Sequence, residues 1–208
     1  MSGPVEATVA PCLEWAWAGR PLPGEDVSGD LALARPVAGG ALLAVIDGLG
    51  HGAEAAEVAA RAREVVAAHA GAPLDELLAT AHAALHRTRG VTASLATVSC
   101  AGVLTWVGVG NVESHVLRPE AGGLRREASA VLYGGVVGYR LPPVRVTVVE
   151  LVPGDLVVMA TDGITRDFPD QVPGTGTVAR IAATVLERCA SPGDDALVAV
   201  ARYRGPGA

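Results

Sequence analysis

The sequence predicts an α+β fold in which two antiparallel sheets pack together with helices outside. Three observations lead there. β-type apolar runs and amphipathic helical stretches fall in separate blocks, not in the alternation a βαβ architecture needs. Half of the residues are hydrophobic while aromatics make up 3%, so the core has to be built from Ala, Val and Leu in closely packed elements. At 208 residues the chain is long enough to bury one full core, and a single domain over 1–208 is expected, with a monomer favoured.

Glu6–Gly19 alternates loosely enough for a strand, and Pro21-Leu22-Pro23-Gly24 breaks the chain before the polar turn Glu25–Asp30. The apolar run Ala41–Ile46 reads as a strand ending at Asp47. From Gly52 the period changes: Glu54, Glu57, Arg61 and Glu64 mark one helical face, and Ala55, Val58, Ala62 and Val65 another. Glu57 and Arg61 form an i,i+4 pair in the favourable order. This helix, Gly52–Ala70, closes at Gly71. Pro73 opens a second, Leu74–Arg87, whose apolar positions are Leu74, Leu77, Leu78, Ala81 and Leu85. Beyond Gly90 short β-type runs follow: Thr92–Cys100, Val103–Val109, Val112–Leu117, Val144–Val152 and Leu156–Thr161. A helix over Val178–Arg188 and a last strand at Ala196–Tyr203 complete the chain. Trp15, Trp17 and Trp106 are expected to fill the aromatic-poor core.

Composition narrows the function classes. Sixteen Lys+Arg against 22 Asp+Glu give a net charge of −6. With no basic run, nucleic acid and anionic membranes are disfavoured as partners. Cys12, Cys100 and Cys189 are odd in number and fit neither a disulfide framework nor a zinc spacing, so they read as buried thiols. No apolar run reaches membrane-spanning length and residues 1–10 lack the features of a signal peptide. The expected setting is the cytoplasm.

The most informative motif is Asp47-Gly48-Leu49-Gly50-His51-Gly52 at a strand end. Asp162-Gly163 after Leu156–Thr161 and Asp194-Asp195 before Ala196–Val200 echo it. Each alone is an acidic turn. Together they place three carboxylates where strands meet loops, and converging oxygen ligands are what a hard divalent cation needs. Gly48, Gly50 and Gly52 let backbone approach a ligand, so a bare carbonyl can coordinate. Gly48-x-Gly50-x-x-Ala53 also matches a dinucleotide fingerprint, which stands as an alternative. That reading requires a parallel strand after the helix, and here a second helix follows.

These motifs, with Ser28-Gly29-Asp30, Thr92-Ala93-Ser94, Gly108-Val109-Gly110-Asn111, Pro153-Gly154-Asp155 and Ala160-Thr161-Asp162-Gly163-Ile164, resemble the bacterial PP2C-type (PPM) serine/threonine phosphatases. The likeness is to the stand-alone sporulation-E/RsbX-like branch and spans nearly the whole chain. It implies a PP2C-like four-layer sandwich and a site for two Mn²⁺ or Mg²⁺ ions. Asp47 would bridge both. Asp162 and Asp194 would complete the first, with Asp195 as a neighbouring ligand. The Gly48 carbonyl would bind the second, assisted by Asp30. Ions about 3.5–4 Å apart can hold a hydroxide in line with a phosphoserine phosphorus. The implied substrates are phosphorylated STAS-domain proteins of stressosome or anti-sigma-antagonist circuits. A catalytically silent, partner-binding relative is a further alternative, against which the intact set of aspartates argues.

The sequence departs from the family pattern in two places. Where eukaryotic-type members carry a histidine directly after the Asp-Gly, this chain has Leu49. His51, two residues later, either protonates the leaving oxygen or packs at the helix start. No arginine clearly matches the phosphate-gripping one; Arg20 is the nearest candidate, and a surface role is the simpler reading. His82 and His86 have metal-pair spacing without a third ligand, and read as a solvated helix face. Asp167 and Asp170 are candidates for a further metal, or simply polar loop residues.

Overall fold

The computed structural model describes residues 5–207; residue 208 and residues 1–4 of the expected domain lie outside them. The chain runs β1 (Val5–Ala10), β2 (Leu13–Arg20), β3 (Asp30–Val37), β4 (Gly40–Gly48), α1 (Gly52–Ala68), α2 (Leu74–Ala84), β5 (Val91–Ser99), β6 (Val103–Val109), β7 (Glu113–Glu120), β8 (Gly123–Ser129), β9 (Leu132–Tyr133), β10 (Thr147–Glu150), β11 (Leu156–Ala160), α3 (Val178–Cys189) and β12 (Ala196–Tyr203), with a short 3₁₀ turn at Phe168–Gln171 before α3. One sheet has the order β1-β2-β12-β11-β7-β8. The other has β10-β6-β5-β4-β3, with β9 added beside β6. All pairings are antiparallel except β6 with β9.

Four layers follow from which faces the central strands bury. In β4, Ala41, Leu43 and Val45 face the other sheet, where they join Trp15, Trp106, Met159 and Ala199 in the central core. The alternate residues Leu42, Ala44 and Ile46 pack under α1 and α2 against Ala59, Ala62, Leu77 and Leu78. β12 divides in the same way. Leu197, Ala199 and Ala201 point inward, while Val198 and Val200 meet Ile181, Ala182 and Val185 of α3. Strands covered on both faces read as continuous apolar runs, which is how they looked in the sequence.

Several expectations are corrected. Glu6–Gly19 is not one strand but a hairpin, β1 and β2 joined at Pro11-Cys12. β3 and β8 were not foreseen. Val144–Val152 contributes only β10, at Thr147–Glu150. The second helix stops at Ala84, short of Arg87, whose φ of 69° is left-handed. Cys12 and Cys100 are not free thiols: they are joined in a disulfide spanning 88 residues, while Cys189 is free and buried. His82 is no bystander on a solvated face, because its Nδ1 accepts the Gly138 N–H at 2.9 Å. Trp15 and Trp106 are buried, whereas Trp17 is half-buried at the core edge.

β4 pairs with β3 and β5, both antiparallel. No βαβ unit forms at Gly48–Ala53, and the dinucleotide alternative loses the strand arrangement it requires.

Candidate metal centre

The two sheets bring their acidic strand ends together at one end of the sandwich. In one sheet, register places Asp30, the first residue of β3, opposite Asp47 near the end of β4. Thr92 on β5 stands opposite Asp47 on its other side. In the other sheet, β11 delivers Asp162 just past its last residue, and Asp194-Asp195 leads into β12. Thr161 stitches the two sheets: its hydroxyl donates to Asp30 Oδ2 at 2.7 Å, and its N–H donates to the Leu197 carbonyl at 3.0 Å.

Close approach explains two of the glycines. A Cβ at Gly48 would collide with the Ala55 carbonyl of α1, and one at Gly163 with the Asp195 carbonyl. The Gly48 N–H donates to the Gly29 carbonyl at 3.1 Å, tying the β4 exit to the segment that enters β3. The Asp-Gly pairs therefore allow the acidic loops to pack in contact.

The carboxylates divide into two kinds. Asp195 is buried and both of its oxygens are engaged, Oδ1 by the Leu22 N–H at 2.7 Å and Oδ2 by the Gly29 N–H at 2.8 Å. Such charge-assisted bonds make it an organiser of the 22–29 loop. Among the described residues, Asp30, Asp47, Asp162 and Asp194 have no arginine or histidine ion-pair partner, and the sequence contains no lysine. Burial, then repulsion from Asp162, pushes Asp47 up to about 7, against hydrogen bonds from Asn111 and Thr92 and with a further push from Asp194. Burial and then Asp47 hold Asp30 well above the usual carboxylate range. Asp194 is raised by burial and by Asp162 and Asp195, while the Asp195 N–H and His51 oppose the rise. Four like charges gathered without a protein cation fit a divalent metal. Among the described residues no three such side chains already close on one point. The fit lies in the all-oxygen donor set and in its mutual repulsion.

The motifs Thr92-Ala93-Ser94 and Gly108-Val109-Gly110-Asn111, to which the sequence assigns no role, carry the residues that orient the aspartates. Asn111 Nδ2 donates to Asp162 Oδ2 at 2.6 Å, and Thr92 Oγ1 donates to Asp47 Oδ2 at 3.2 Å and also bonds Asn111 Oδ1. These two residues link the carboxylates of the two sheets. His51 sits at the N-terminus of α1 without capping it. Its Nδ1 lies 2.7 Å from Glu25 Oε1, and its ring is 55% exposed. Arg20 is spent on backbone carbonyls, with Nη1 on Pro21 and Asp194 and Nη2 on Ser191. Among the described residues Asp167 and Asp170 make side-chain contacts with Thr165 and Arg126.

A four-layer sandwich with aspartates of both sheets gathered at one end defines the bacterial PP2C-type phosphatase class. The chain belongs to the stage II sporulation protein E family, whose sequence model matches residues 38–204. No curated protein matches the sequence. Among solved structures, it is similar to a chain from work on the bacterial stressosome, a modular system adapted to control secondary messenger signalling. The two are 29% identical with a TM-score of 0.82, over 91% of this chain and 99% of that one. RsbX crystallised with magnesium gives a TM-score of 0.81 at 19% identity, over 96% and 99%. The phosphatase domain of SpoIIE from Bacillus subtilis, with a regulatory fragment, gives 0.72 at 22% identity, over 92% of this chain and 62% of that one.

Proposed function

We propose that this protein is a Mn²⁺- or Mg²⁺-dependent protein serine/threonine phosphatase acting in the cytoplasm on phosphorylated STAS-domain regulators. The observation that carries the reading is the group of four aspartates from two sheets, with no cationic side chain paired to them among the described residues and with Asp30, Asp47 and Asp194 held above the usual carboxylate range by burial and by their acidic neighbours. Likeness to RsbX and to a stressosome chain supports the choice of substrate class.

In this reading Asp47, the Gly48 carbonyl, Asp162 and Asp194 would hold two ions, and Asp30 would assist from beside Asp47. Asp195, the neighbouring ligand that the resemblance implies, also fixes the loop leading into Asp30 through its bonds from Leu22 and Gly29. Divalent ions held there would supply Lewis acidity toward the phosphoryl oxygens and the activation of water. Asn111 and Thr92 fix the directions of the Asp162 and Asp47 carboxylates before substrate arrives, so less reorganisation is left for the reaction. His51 donates a proton to the departing serine oxygen, and Glu25 at its Nδ1 sets the ring orientation. A catalytically silent binding module would have no use for so unfavourable a cluster of charge.

The deciding experiment is phosphate release from a phosphoserine STAS-domain protein, with EDTA and then with Mn²⁺ or Mg²⁺. Metal-dependent release is expected. Release that survives exhaustive chelation, or none with any metal, rejects the proposal.

A further inference from the structure

A second recess adjoins the aspartate cluster. It has a volume of about 200 Å³, far more than a single water needs and on the scale of one side chain. Its lining includes Asp162 and Asn111 of the aspartate cluster, the buried Ile164 and Phe168, and the Arg166 and Glu113 side chains.

The backbone carrying Arg166 is fixed on both sides. The Ile164 N–H donates to Thr161, the Thr165 N–H to Cys189 at 2.8 Å, and the Phe168 N–H to Thr165 at 3.0 Å. The Phe168 ring packs against buried His115, with centroids 5.3 Å apart. The side chain itself is 94% exposed, and its one ion-pair contact among the described residues is Nε to Glu113 Oε1 at 3.7 Å, too long for a hydrogen bond.

The other arginines bordering the acidic loops are occupied. Arg20 is bonded to the Pro21, Asp194 and Ser191 carbonyls. Arg89 is bonded to the Leu49 carbonyl and to Glu54. Arg166 alone of the three keeps its donor fork available. A guanidinium fork matches a carboxylate with two parallel N–H donations. Glu113, loosely placed at its side, is the contact an incoming carboxylate would replace.

We propose that Arg166 determines substrate specificity, gripping an acidic side chain within two residues of the phosphorylated serine or threonine. This rests on the phosphatase reading above: the phosphoryl group lies at the aspartates, and the flanking residue enters the recess that Asp162 and Asn111 also line.

The test compares wild type, Arg166→Ala and Arg166→Glu with Mn²⁺ present. Substrates are phosphoserine peptides with Glu, Ala or Arg at the flanking positions, and p-nitrophenyl phosphate, which has no flanking residue. Wild type is expected to favour the Glu peptide over the Ala peptide through KM. Arg166→Ala should raise KM for the Glu peptide about 3- to 10-fold, with kcat and p-nitrophenyl phosphate turnover unchanged. Arg166→Glu should shift the preference to the Arg peptide. Equal use of Glu and Ala peptides by wild type overturns the inference. So does an equal loss on p-nitrophenyl phosphate, which would place Arg166 on the phosphoryl group. Wild type inert on every substrate with Mn²⁺ would instead refute the phosphatase reading, and this inference with it.

Discussion

Replacing Asp47 with Asn should make the metal-free protein more stable while destroying its response to metal. Asp47 is forced toward a pKa of about 7 from an ordinary 3.8 by burial and by Asp162 and Asp194. A folded-state pKa raised in this way means that the folded protein binds more protons than the unfolded chain between those two values. The associated stability is fully present below pH 3.8 and is lost as pH rises through about 7. At about 1.4 kcal/mol per unit, the ceiling is about 4 kcal/mol. Residual hydration and repulsion shared with Asp30 reduce that to about 1–3 kcal/mol, or about 3–10 °C in Tm for a chain of this size. In EDTA, wild-type Tm should therefore fall between pH 5 and pH 8, and the Asn variant should fall less and melt higher at pH 8. Mn²⁺ at 100 times its Kd should add about 2.7 kcal/mol to wild type and little to the variant, with kcat down by several orders of magnitude. Thermal melts across this pH series, with and without Mn²⁺, decide the matter. An Asn variant that melts below wild type at pH 8 in EDTA, or that gains as much from Mn²⁺, would refute the reasoning.

Asp194→Asn and Asp195→Asn should separate ligand from organiser. The first should abolish metal-dependent turnover with Tm retained. The second weakens the bonds to Leu22 and Gly29 and should lower Tm, with a milder loss of kcat; the reverse pattern in melts and kinetics would exchange their roles. His51→Ala should cost ~10²–10⁴-fold on a phosphoserine protein and little on p-nitrophenyl phosphate, whose leaving group needs no proton; equal losses on the two remove His51 from the chemistry. Asn111→Ala should lower kcat while leaving the fold intact, since it frees the Asp162 carboxylate to rotate; normal turnover would show that the carboxylates orient themselves. Thiol titration of the unfolded, unreduced protein should find one free group, Cys189, and a count of three would remove the Cys12–Cys100 bridge.

What could be read from the sequence was set by how strongly each segment is buried. β4, β11 and β12 are covered on both faces and announced themselves as apolar runs. β3 is an edge strand of half-buried Leu and Ala interrupted by Pro36, so neither alternation nor a continuous run marked it. β8 is an edge strand whose Arg125 and Arg126 look like a solvated turn, and charge of this kind protects an exposed edge. The aspartates stood out because an acid directly after an apolar run is conspicuous. Asn111 and Thr92 lie in recognisable motifs, but their role was not legible there, because it comes from cross-strand register and from contact between the sheets. The Cys12–Cys100 pairing was invisible for a related reason: only the packing of two hairpin turns brings residues 88 positions apart together.

That bridge lies at the end of the sandwich opposite the aspartates, since Cys12 precedes β2 and Cys100 follows β5, whose other ends carry Arg20 and Val91. The molecule is thus a pair of jaws pinned at the back. Spreading of the sheets about that pin would be greatest at the front, where the Thr161 bond to Asp30 and the Gly29 N–H on Asp195 tie them together. A metal gripped by aspartates from both sheets would close the same gap from within. Ion binding and jaw closure then become one coordinate, and hydrogen exchange at the Gly29 amide, which donates across the sheets to Asp195, compared with that at Cys100, would read how far the front opens.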